Sequence, residues 1–235
     1  MSRLARLLKT LALLAMLPVA VYAGYWASQF APPRFLPWAP LDIADLPVYP
    51  ITAMKLERLQ WDRRYCEAAL ATASLRVTPV AEIESKGCDL HDVIRVESGY
   101  PAFNASFIAT CPLSVGMAMF IRDVVQPAAS RDLHSDVVEI DHLGSFACRN
   151  IVGGHSGRLS EHAAANAIDV AGFVLRDGQR VTVERDWRGG GNKAQFLRDV
   201  RDGSCGIFHV VLSPDFNAAH RTHLHLDMGA YRMCR

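Results

Sequence analysis

Four residues in the middle and at the end of the chain have the side chains and the spacing of a zinc site. His162 lies seven positions before Asp169, and near the C terminus His223 and His225 are separated by a single residue. Zinc binds imidazole nitrogen and carboxylate oxygen, and catalytic zinc sites use three protein ligands and leave a fourth position to water. The sequence therefore predicts a site for one zinc ion.

The second pair of histidines is predicted to lie on a β-strand. Side chains alternate between the two faces of a strand, so His223 and His225 share one face while Leu224 and Leu226 point to the core. The alternative is a chance arrangement of histidines on a polar strand face. Asp227 falls on the histidine face, where it either orients His225 or is an ordinary surface carboxylate.

The first pair is predicted to join a small loop to a strand. The residues between His162 and Asp169 are mostly alanine, and Asp169 lies between Ile168 and Val170, which we expect to be buried. A carboxylate presented between two core-facing residues needs a partner, and a metal ion is one. The alternative is that His162 and Asp169 are ordinary polar surface residues.

The remaining patterns mix helix and strand and predict an α+β fold with helices packed around an antiparallel sheet. The pair Asp177-Gly178 is typical of a hairpin turn. We predict a helix over 62–75, one from an N-cap at Ser114 to near Pro127, and one that Asn192 caps. Predicted strands cover 137–140, 167–175, 180–183, 207–212 and 223–227.

The first 28 residues are predicted to be a membrane-targeting segment. Arg3, Arg6 and Lys9 precede an uncharged run over 10–28, which reaches the minimum length of a membrane span, about 17 residues. A cleaved signal peptide and an uncleaved anchor both fit, and Tyr25 and Trp26 favour the anchor. We therefore expect a single inner-membrane span with a periplasmic C-terminal domain, or a periplasmic protein if the segment is cleaved.

Composition divides the rest of the chain into a linker and one domain. Residues 29–50 contain six prolines, which favour extended backbone, and residues 51–235 have the patterns of a folded domain. The linker has too many hydrophobic residues for a fully solvated segment, so we expect part of it to pack onto this domain; they are Phe35, Leu36, Trp38, Leu41 and Ile43. Half of the residues are hydrophobic and the formal net charge is +1, so we expect no nucleic-acid partner.

Six cysteines follow the N-terminal segment, and none has the C-x-x-C spacing of structural zinc modules. An even number of cysteines in an exported domain predicts disulfides. Sequence alone leaves about 15 pairings for six cysteines. The nearest-neighbour choice pairs Cys66 with Cys88, Cys111 with Cys148, and Cys205 with Cys234.

The same motifs resemble a known superfamily. Ser160-x-His162 and Ala167-x-Asp169, followed by a distant His-x-His, resemble the zinc peptidases that include D-alanyl-D-alanine peptidases, lysostaphin-type endopeptidases and the hedgehog signalling domain. More narrowly, most of residues 40–235 resembles the bacterial extensin-like C-terminal domain family. The further segments that carry this resemblance are Ala147-Cys148-Arg149, Leu159-Ser160-Glu161-His162, Asp177-Gly178, Asp186-Trp187, Phe196-Leu197-Arg198 and His220-x-x-His223-x-His225-Leu226-Asp227.

The resemblance implies a hedgehog or D-alanyl-D-alanine-peptidase-like fold, with His162, Asp169 and His225 as zinc ligands. Two positions depart from the superfamily pattern. Ala165 occupies a loop position that is usually glycine, and alanine is strained there if the backbone needs a positive φ. Thr222 stands where many dipeptidases have a glutamate base, so His223 is the candidate catalytic group, as in the lysostaphin branch.

Four further residues are assigned supporting roles. Arg149 and Ser160 are expected to bind substrate, although Arg149 is equally well read as an exposed structural arginine. His220 and Asp227 are expected to orient the ligands. The predicted function is a membrane-tethered periplasmic zinc hydrolase that cleaves an amide bond in peptidoglycan peptides. The alternative is a zinc-containing domain that binds a cell-wall polymer or polysaccharide without turnover.

Overall fold

A computed structural model describes residues 3–85, 87–151 and 157–235 of the chain. Its helices pack on two β-sheets, which confirms the predicted α+β fold class. The helices are α1 (Arg3–Ser28), α2 (Ile51–Arg58), α3 (Arg63–Leu70), α4 (Cys111–Met119), α5 (Gln126–Leu133), α6 (Val183–Asp186) and α7 (Asn192–Ser204).

The strands form one small and one large sheet. They are β1 (Leu75–Pro79), β2 (Val93–Gly99), β3 (Ala102–Phe103), β4 (Phe107–Thr110), β5 (Val137–His142), β6 (Ala167–Leu175), β7 (Arg180–Thr182), β8 (Val210–Leu212), β9 (Leu224–Asp227) and β10 (Met233–Cys234). The small sheet has the antiparallel order β1-β2-β4. The large sheet has the order β10-β8-β9-β6-β5-β3, and β7 pairs with β6. It is mixed, because β3 runs parallel to β5 and β10 runs parallel to β8.

Strand β6 is the centre of the large sheet. It pairs with β5 on one side and β9 on the other, and most of its residues are buried. The Asp177-Gly178 turn connects it to β7, as predicted, and Gly178 adopts a positive φ of 83° that a turn of this kind requires. A side chain on β6 is therefore held in a fixed position in the protein interior.

The helix predicted from Ser114 to near Pro127 differs from the prediction at both ends. Thr110, not Ser114, is the N-cap, and its hydroxyl accepts a hydrogen bond from the Leu113 N–H at 3.3 Å. The helix also continues beyond Pro127 into α5. Between α4 and α5 a π-helical turn, Phe120–Val125, bonds the Gln126 N–H to the carbonyl of residue 121, five positions earlier. This wider turn makes room for the proline ring, which clashes with the preceding carbonyl in a regular α-helix.

The proline-rich segment before α2 packs onto the domain. Leu41 and Ile43 are buried in the main hydrophobic core. The buried Lys55 side chain of α2 donates hydrogen bonds to the carbonyls of Pro33, at 2.9 Å, and Pro40, at 3.3 Å. Ahead of this segment, α1 includes a stretch, Lys9–Ser28, that is long and apolar enough to be a membrane span or a signal sequence.

Three disulfides connect the six cysteines, and two of the predicted pairings are wrong. Cys205 pairs with Cys234 as predicted, but Cys66 pairs with Cys111 and Cys88 pairs with Cys148. The first difference arises because α3 packs against α4, which brings Cys66 to the start of α4. Proximity in the sequence fails here because helix packing, which nearest-neighbour pairing ignores, decides which cysteines meet.

Candidate metal centre

The pairing of β6 with β9 brings the central residues of the candidate site together. Asp169 of β6 lies directly opposite His225 of β9 in the antiparallel register. His162 reaches the same point from a short 3-10 helix, Glu161–Ala164, that precedes β6. All three residues are buried, and one ligand atom from each lies within 4.8 Å of the other two.

The three ligand atoms form a nearly equilateral triangle. Asp169 Oδ1 lies 3.1 Å from His162 Nε2 and 3.0 Å from His225 Nδ1, and the two nitrogens are 3.2 Å apart. Tetrahedral zinc with bonds of about 2.0–2.1 Å separates its ligand atoms by about 3.3 Å. The triangle therefore has the size of one face of a zinc tetrahedron.

Hydrogen bonds on the outer side of each imidazole determine which nitrogen faces the triangle. His162 Nδ1 lies 3.1 Å from the carbonyl oxygen of Ser145, which can only accept, so Nδ1 carries the proton. His225 Nε2 lies 3.1 Å from Asp227 Oδ2 and is protonated for the same reason. In the neutral imidazoles, His162 Nε2 and His225 Nδ1 then each carry a lone pair. Both atoms face Oδ1 of Asp169. A cation between these three atoms would accept all three lone pairs, so the donor set fits zinc.

Asp227 occupies the position expected of a residue that orients His225. Besides the bond to His225, its Oδ1 accepts a hydrogen bond from the Gly229 N–H at 2.8 Å. Both residues lie on one face of β9, as strand alternation predicts, and Asp227 is buried. The carboxylate therefore has two partners in fixed positions.

Charge in the site follows from these contacts. Burial raises the pKa of Asp169, but the close contacts with His162 and His225 outweigh burial and hold the pKa well below its usual range. Burial lowers the pKa of His225, but its hydrogen bonds to Asp169 and Asp227 raise the pKa to about 9. In the metal-free protein His225 is therefore protonated at pH 7, and its positive charge faces Asp169.

The loop between His162 and β6 turns at Ala165. Its φ is 52°, in the left-handed region that favours glycine, as the departure from the superfamily pattern indicated. The Ala165 methyl is fully buried in a small cluster with Leu90 and Val93. Burial of the methyl group offsets part of the backbone cost, which is about 1–2 kcal/mol for an L-residue in this conformation.

A polar network that the sequence did not reveal supports the same loop. Asn166 donates from Nδ2 to Glu161 Oε2 at 2.8 Å, and its Oδ1 accepts from the Thr110 hydroxyl at 2.7 Å. The Glu161 carboxylate lies against Gly229, where an added Cβ would come within 2.6 Å of it. Asn166 and Glu161 belong to the motif segment and could have been suspected. Thr110 is 56 positions away, and no local pattern points to it.

His223 lies beside the three ligand residues and opens to the protein surface. Its Nε2 is 3.5 Å from Asp169 Oδ1, and its Nδ1 is 3.3 Å from the Thr222 hydroxyl. Burial lowers the pKa of His223 below its ordinary value, since the opposing effect of Asp169 is smaller. The ring is therefore neutral at pH 7 and has a lone pair available.

His220 is next to the site but is not hydrogen-bonded to a ligand. Its ring centre lies 5.4 Å from that of His223 and 5.8 Å from that of His225, and its Nδ1 donates to Asn217 Oδ1 at 2.8 Å. Burial and the neighbouring His225 lower the pKa of His220 to about 4. Its contribution is a neutral ring that packs beside the ligands.

Arg149 and Ser160 lie together at the edge of the site. The Ser160 N–H donates to the Arg149 carbonyl at 3.0 Å, and the disulfide between Cys148 and Cys88 anchors the residue before Arg149. The Ser160 hydroxyl caps the short helix by accepting from the His162 N–H at 3.4 Å. Ser160 therefore has a structural role in addition to the predicted contact with substrate.

A cleft of about 680 Å³ opens over the site. His162 and Asp169 are buried beneath it. The other residues predicted for the site all line the cleft; they are Arg149, Ser160, His220, His223, His225 and Asp227. Apolar side chains such as Phe216 and Tyr231 form the outer wall, and Arg158 stacks on the Tyr231 ring at 4.0 Å. The cleft thus connects the triangle of ligand atoms to solvent.

Comparison with known proteins gives one match. A family model described as Extensin-like protein C-terminus matches residues 64–235, which is more than half of the chain. The matched part contains both sheets and every residue of the candidate metal centre. No curated protein and no solved structure matches the chain.

Proposed function

The chain belongs to the extensin-like protein C-terminus family, and on this basis we propose that its domain is a zinc hydrolase that cleaves an amide bond in peptidoglycan peptides. Helix α1 would hold it at the periplasmic face of the inner membrane. The fold would be of the type shared by the hedgehog domain and the D-alanyl-D-alanine peptidases. The observation that carries the proposal is the convergence of three lone pairs from His162, Asp169 and His225.

The roles of the residues follow from their positions. When bound, zinc supplies a Lewis acid that polarises a carbonyl oxygen and lowers the pKa of water. His162, Asp169 and His225 would hold it, and Asp227 keeps His225 in the tautomer that presents Nδ1. His223 is neutral at pH 7 and opens to the cleft, so it can accept the proton of an attacking water and return it to the leaving amine.

The cleft supports a substrate that carries negative charge. Arg149 and Arg158 line it, and neither forms an ion pair with any residue in the described part of the chain. The carboxylate of Glu161 is engaged by Asn166, and that of Asp227 by His225 and Gly229. Peptidoglycan peptides carry free carboxylates, which the two arginines would bind.

One observation favours the alternative of a binding domain without turnover. The group that faces Nδ1 of His223 is the hydroxyl of Thr222, at 3.3 Å. A general base is better oriented and strengthened by a carboxylate at that nitrogen. In the alternative, the domain would retain zinc for its structure and use the cleft to bind a cell-wall polymer or polysaccharide.

The metal is tested first. Elemental analysis of the purified protein is expected to give about one zinc per chain, as three protein ligands and one open position imply. Asp169→Asn and His162→Ala should lose the metal, while His91→Ala, a change at an exposed histidine paired with Glu82, should keep it. A folded wild-type protein that binds no zinc when zinc is supplied would contradict both functions.

Activity is tested separately on the zinc-loaded protein. Purified peptidoglycan is incubated with wild type, His223→Ala and His91→Ala, and the released fragments are analysed by mass spectrometry. Hydrolysis predicts new amine and carboxylate ends with wild type and His91→Ala, and their loss with His223→Ala while zinc content is unchanged. If zinc-loaded wild type releases nothing but co-sediments with peptidoglycan, the binding function is supported instead.

A further inference from the structure

Helix α2 has one buried face and one exposed apolar face. The residues on the buried face are Thr52, Lys55, Leu56 and, just past the helix, Leu59. Away from this face, Met54 of α2 is 55% exposed, and Trp61, three residues past the end of α2, is 67% exposed. The Trp61 N–H bonds to the carbonyl of Arg58, the last residue of α2, so Trp61 lies at the C-terminal end of the helix.

The segment before α2 carries two further exposed aromatic residues and packs on the same helix. Arg58 Nη1 donates to the carbonyl of Trp38 at 3.3 Å, which brings Trp38 beside the last residue of α2. The short 3-10 helix Pro33–Phe35 also packs on α2. Trp38 is 62% exposed and Phe35 is 44% exposed. We refer to Phe35, Trp38, Met54 and Trp61 as the aromatic patch.

The chain connects this patch closely to the candidate membrane span. Helix α1 ends at Ser28, and Lys55 fixes Pro33 to the domain through its carbonyl at 2.9 Å. The four residues between them can span at most about 17 Å from Ser28 to Pro33. The real distance is shorter, because the N–H groups of Gln29 and Phe30 continue the helical turn by bonding to the carbonyls of residues 26 and 27.

We propose that the aromatic patch docks on the lipid headgroup layer beside α1 and holds the domain against the bilayer. The headgroup layer is about 5–8 Å thick on each side of the hydrocarbon, and tryptophan is enriched there because its ring is apolar and its N–H is polar. A tether of at most about 17 Å keeps Pro33, and the residues of the patch that follow it, close to this layer. The proposal rests on α1 being an uncleaved membrane span.

Docking would also explain why these large side chains remain outside the core. Lys55 is buried and donates to the carbonyls of both Pro33 and Pro40, so the segment that carries Phe35 and Trp38 is held in place although its rings are exposed. Fixed and exposed tryptophans on a soluble face lower solubility. On a face turned to the membrane they contribute binding free energy.

The test uses the full-length chain reconstituted into vesicles of phosphatidylethanolamine and phosphatidylglycerol, with and without lipids brominated near the headgroup. Bromine quenches tryptophan fluorescence only at short range. The chain has four tryptophans, of which Trp26 is in α1 and Trp187 is buried in the domain. Trp26→Phe therefore leaves Trp38 and Trp61 as reporters, and a triple variant that also carries Trp38→Phe and Trp61→Phe gives the baseline from Trp187.

Docking predicts strong quenching in Trp26→Phe and only baseline quenching in the triple variant. Tyr100→Trp, introduced into that triple variant at an exposed position bonded to Arg176, should remain at the baseline. Quenching must not change with the protein-to-lipid ratio, since a dependence would indicate contact with a second copy and overturn the proposal. A chain that floats with the vesicles but shows no quenching above the baseline also overturns it. A chain that does not float overturns both docking and the tether.

Discussion

Replacement of Asp227 by asparagine tests whether Asp227 determines which nitrogen of His225 faces the candidate metal site. In the native protein the Asp227 carboxylate accepts two hydrogen bonds, from His225 Nε2 at 3.1 Å and from the Gly229 N–H at 2.8 Å. Asparagine has the same shape but only one accepting terminal atom. It can therefore satisfy one of these two donors and must present its NH₂ group to the other.

Each orientation of the amide has a cost that the structure allows us to work out. If the amide oxygen stays with Gly229, the NH₂ group faces His225, and the ring proton moves to Nδ1, the atom that faces the site. If the oxygen stays with His225, the Gly229 N–H is buried without an acceptor, which costs about 1–3 kcal/mol. Only this second orientation leaves Nδ1 of His225 free for zinc, so its cost lowers zinc affinity by a factor of about 5–150. Residues that orient ligands typically have a roughly 10–100-fold effect.

The assay is competition for zinc between the protein and a chromogenic chelator at pH 7.5. We expect Asp227→Asn to raise the zinc Kd by about 10–100-fold with unchanged circular dichroism. Asp202→Asn, on the exposed C-terminal part of α7, is the matched control and should leave the Kd unchanged. An Asp227→Asn protein that binds zinc as tightly as wild type would refute the assignment of Nδ1 as the ligand atom of His225.

Three further predictions concern the site and its frame. The pKa of metal-free His225 is raised to about 9, so zinc binding at pH 7–8 should release about one proton per ion. Above about pH 10 it should release none. Calorimetry in buffers of different ionisation enthalpy measures the number of protons released. Ala165→Val places a β-branched residue at a φ of 52° in a fully buried position, so thermal unfolding should show a loss of about 2–4 kcal/mol. Changing Cys66 and Cys111 together to serine opens a 45-residue loop, and denaturant titration should show a loss of about 4 kcal/mol.

Structural features that depend on residues close together in the chain are predicted correctly from the sequence. Alternation along a strand correctly placed His225 and Asp227 on one face of β9, and the Asp177-Gly178 turn correctly predicted the β6–β7 hairpin. The register that sets Asp169 opposite His225 is a different kind of fact, because it pairs residues 56 positions apart. The spacing of His162 and Asp169 and the later His-x-His pair could suggest a site, but the distance between β6 and β9 depends on the fold.

The errors have the same origin. The disulfide of Cys66 depends on the packing of α3 against α4, and the path of the central helix through Pro127 depends on a π turn that has no clear local signal. Serine is a good N-cap, which favours Ser114, whereas Thr110, at the end of β4, is the residue from which the chain enters the helix. The disulfide and the N-cap thus depend on the element that packs against the helix or leads into it, which residue type and sequence distance do not include.

Metal binding and catalysis have unequal support within the site. The nitrogens of His162 and His225 that face Asp169 are set by groups that can only accept a hydrogen bond on the other side of each ring, the carbonyl of Ser145 and the buried carboxylate of Asp227. Nδ1 of His223 faces the hydroxyl of Thr222, which both donates and accepts and therefore leaves the tautomer of His223 open. Asp227→Asn should consequently affect zinc affinity, whereas Thr222→Val should leave zinc affinity unchanged and alter only the rate and pH profile of hydrolysis. An unchanged rate in zinc-loaded Thr222→Val would mean that His223 does not depend on this contact.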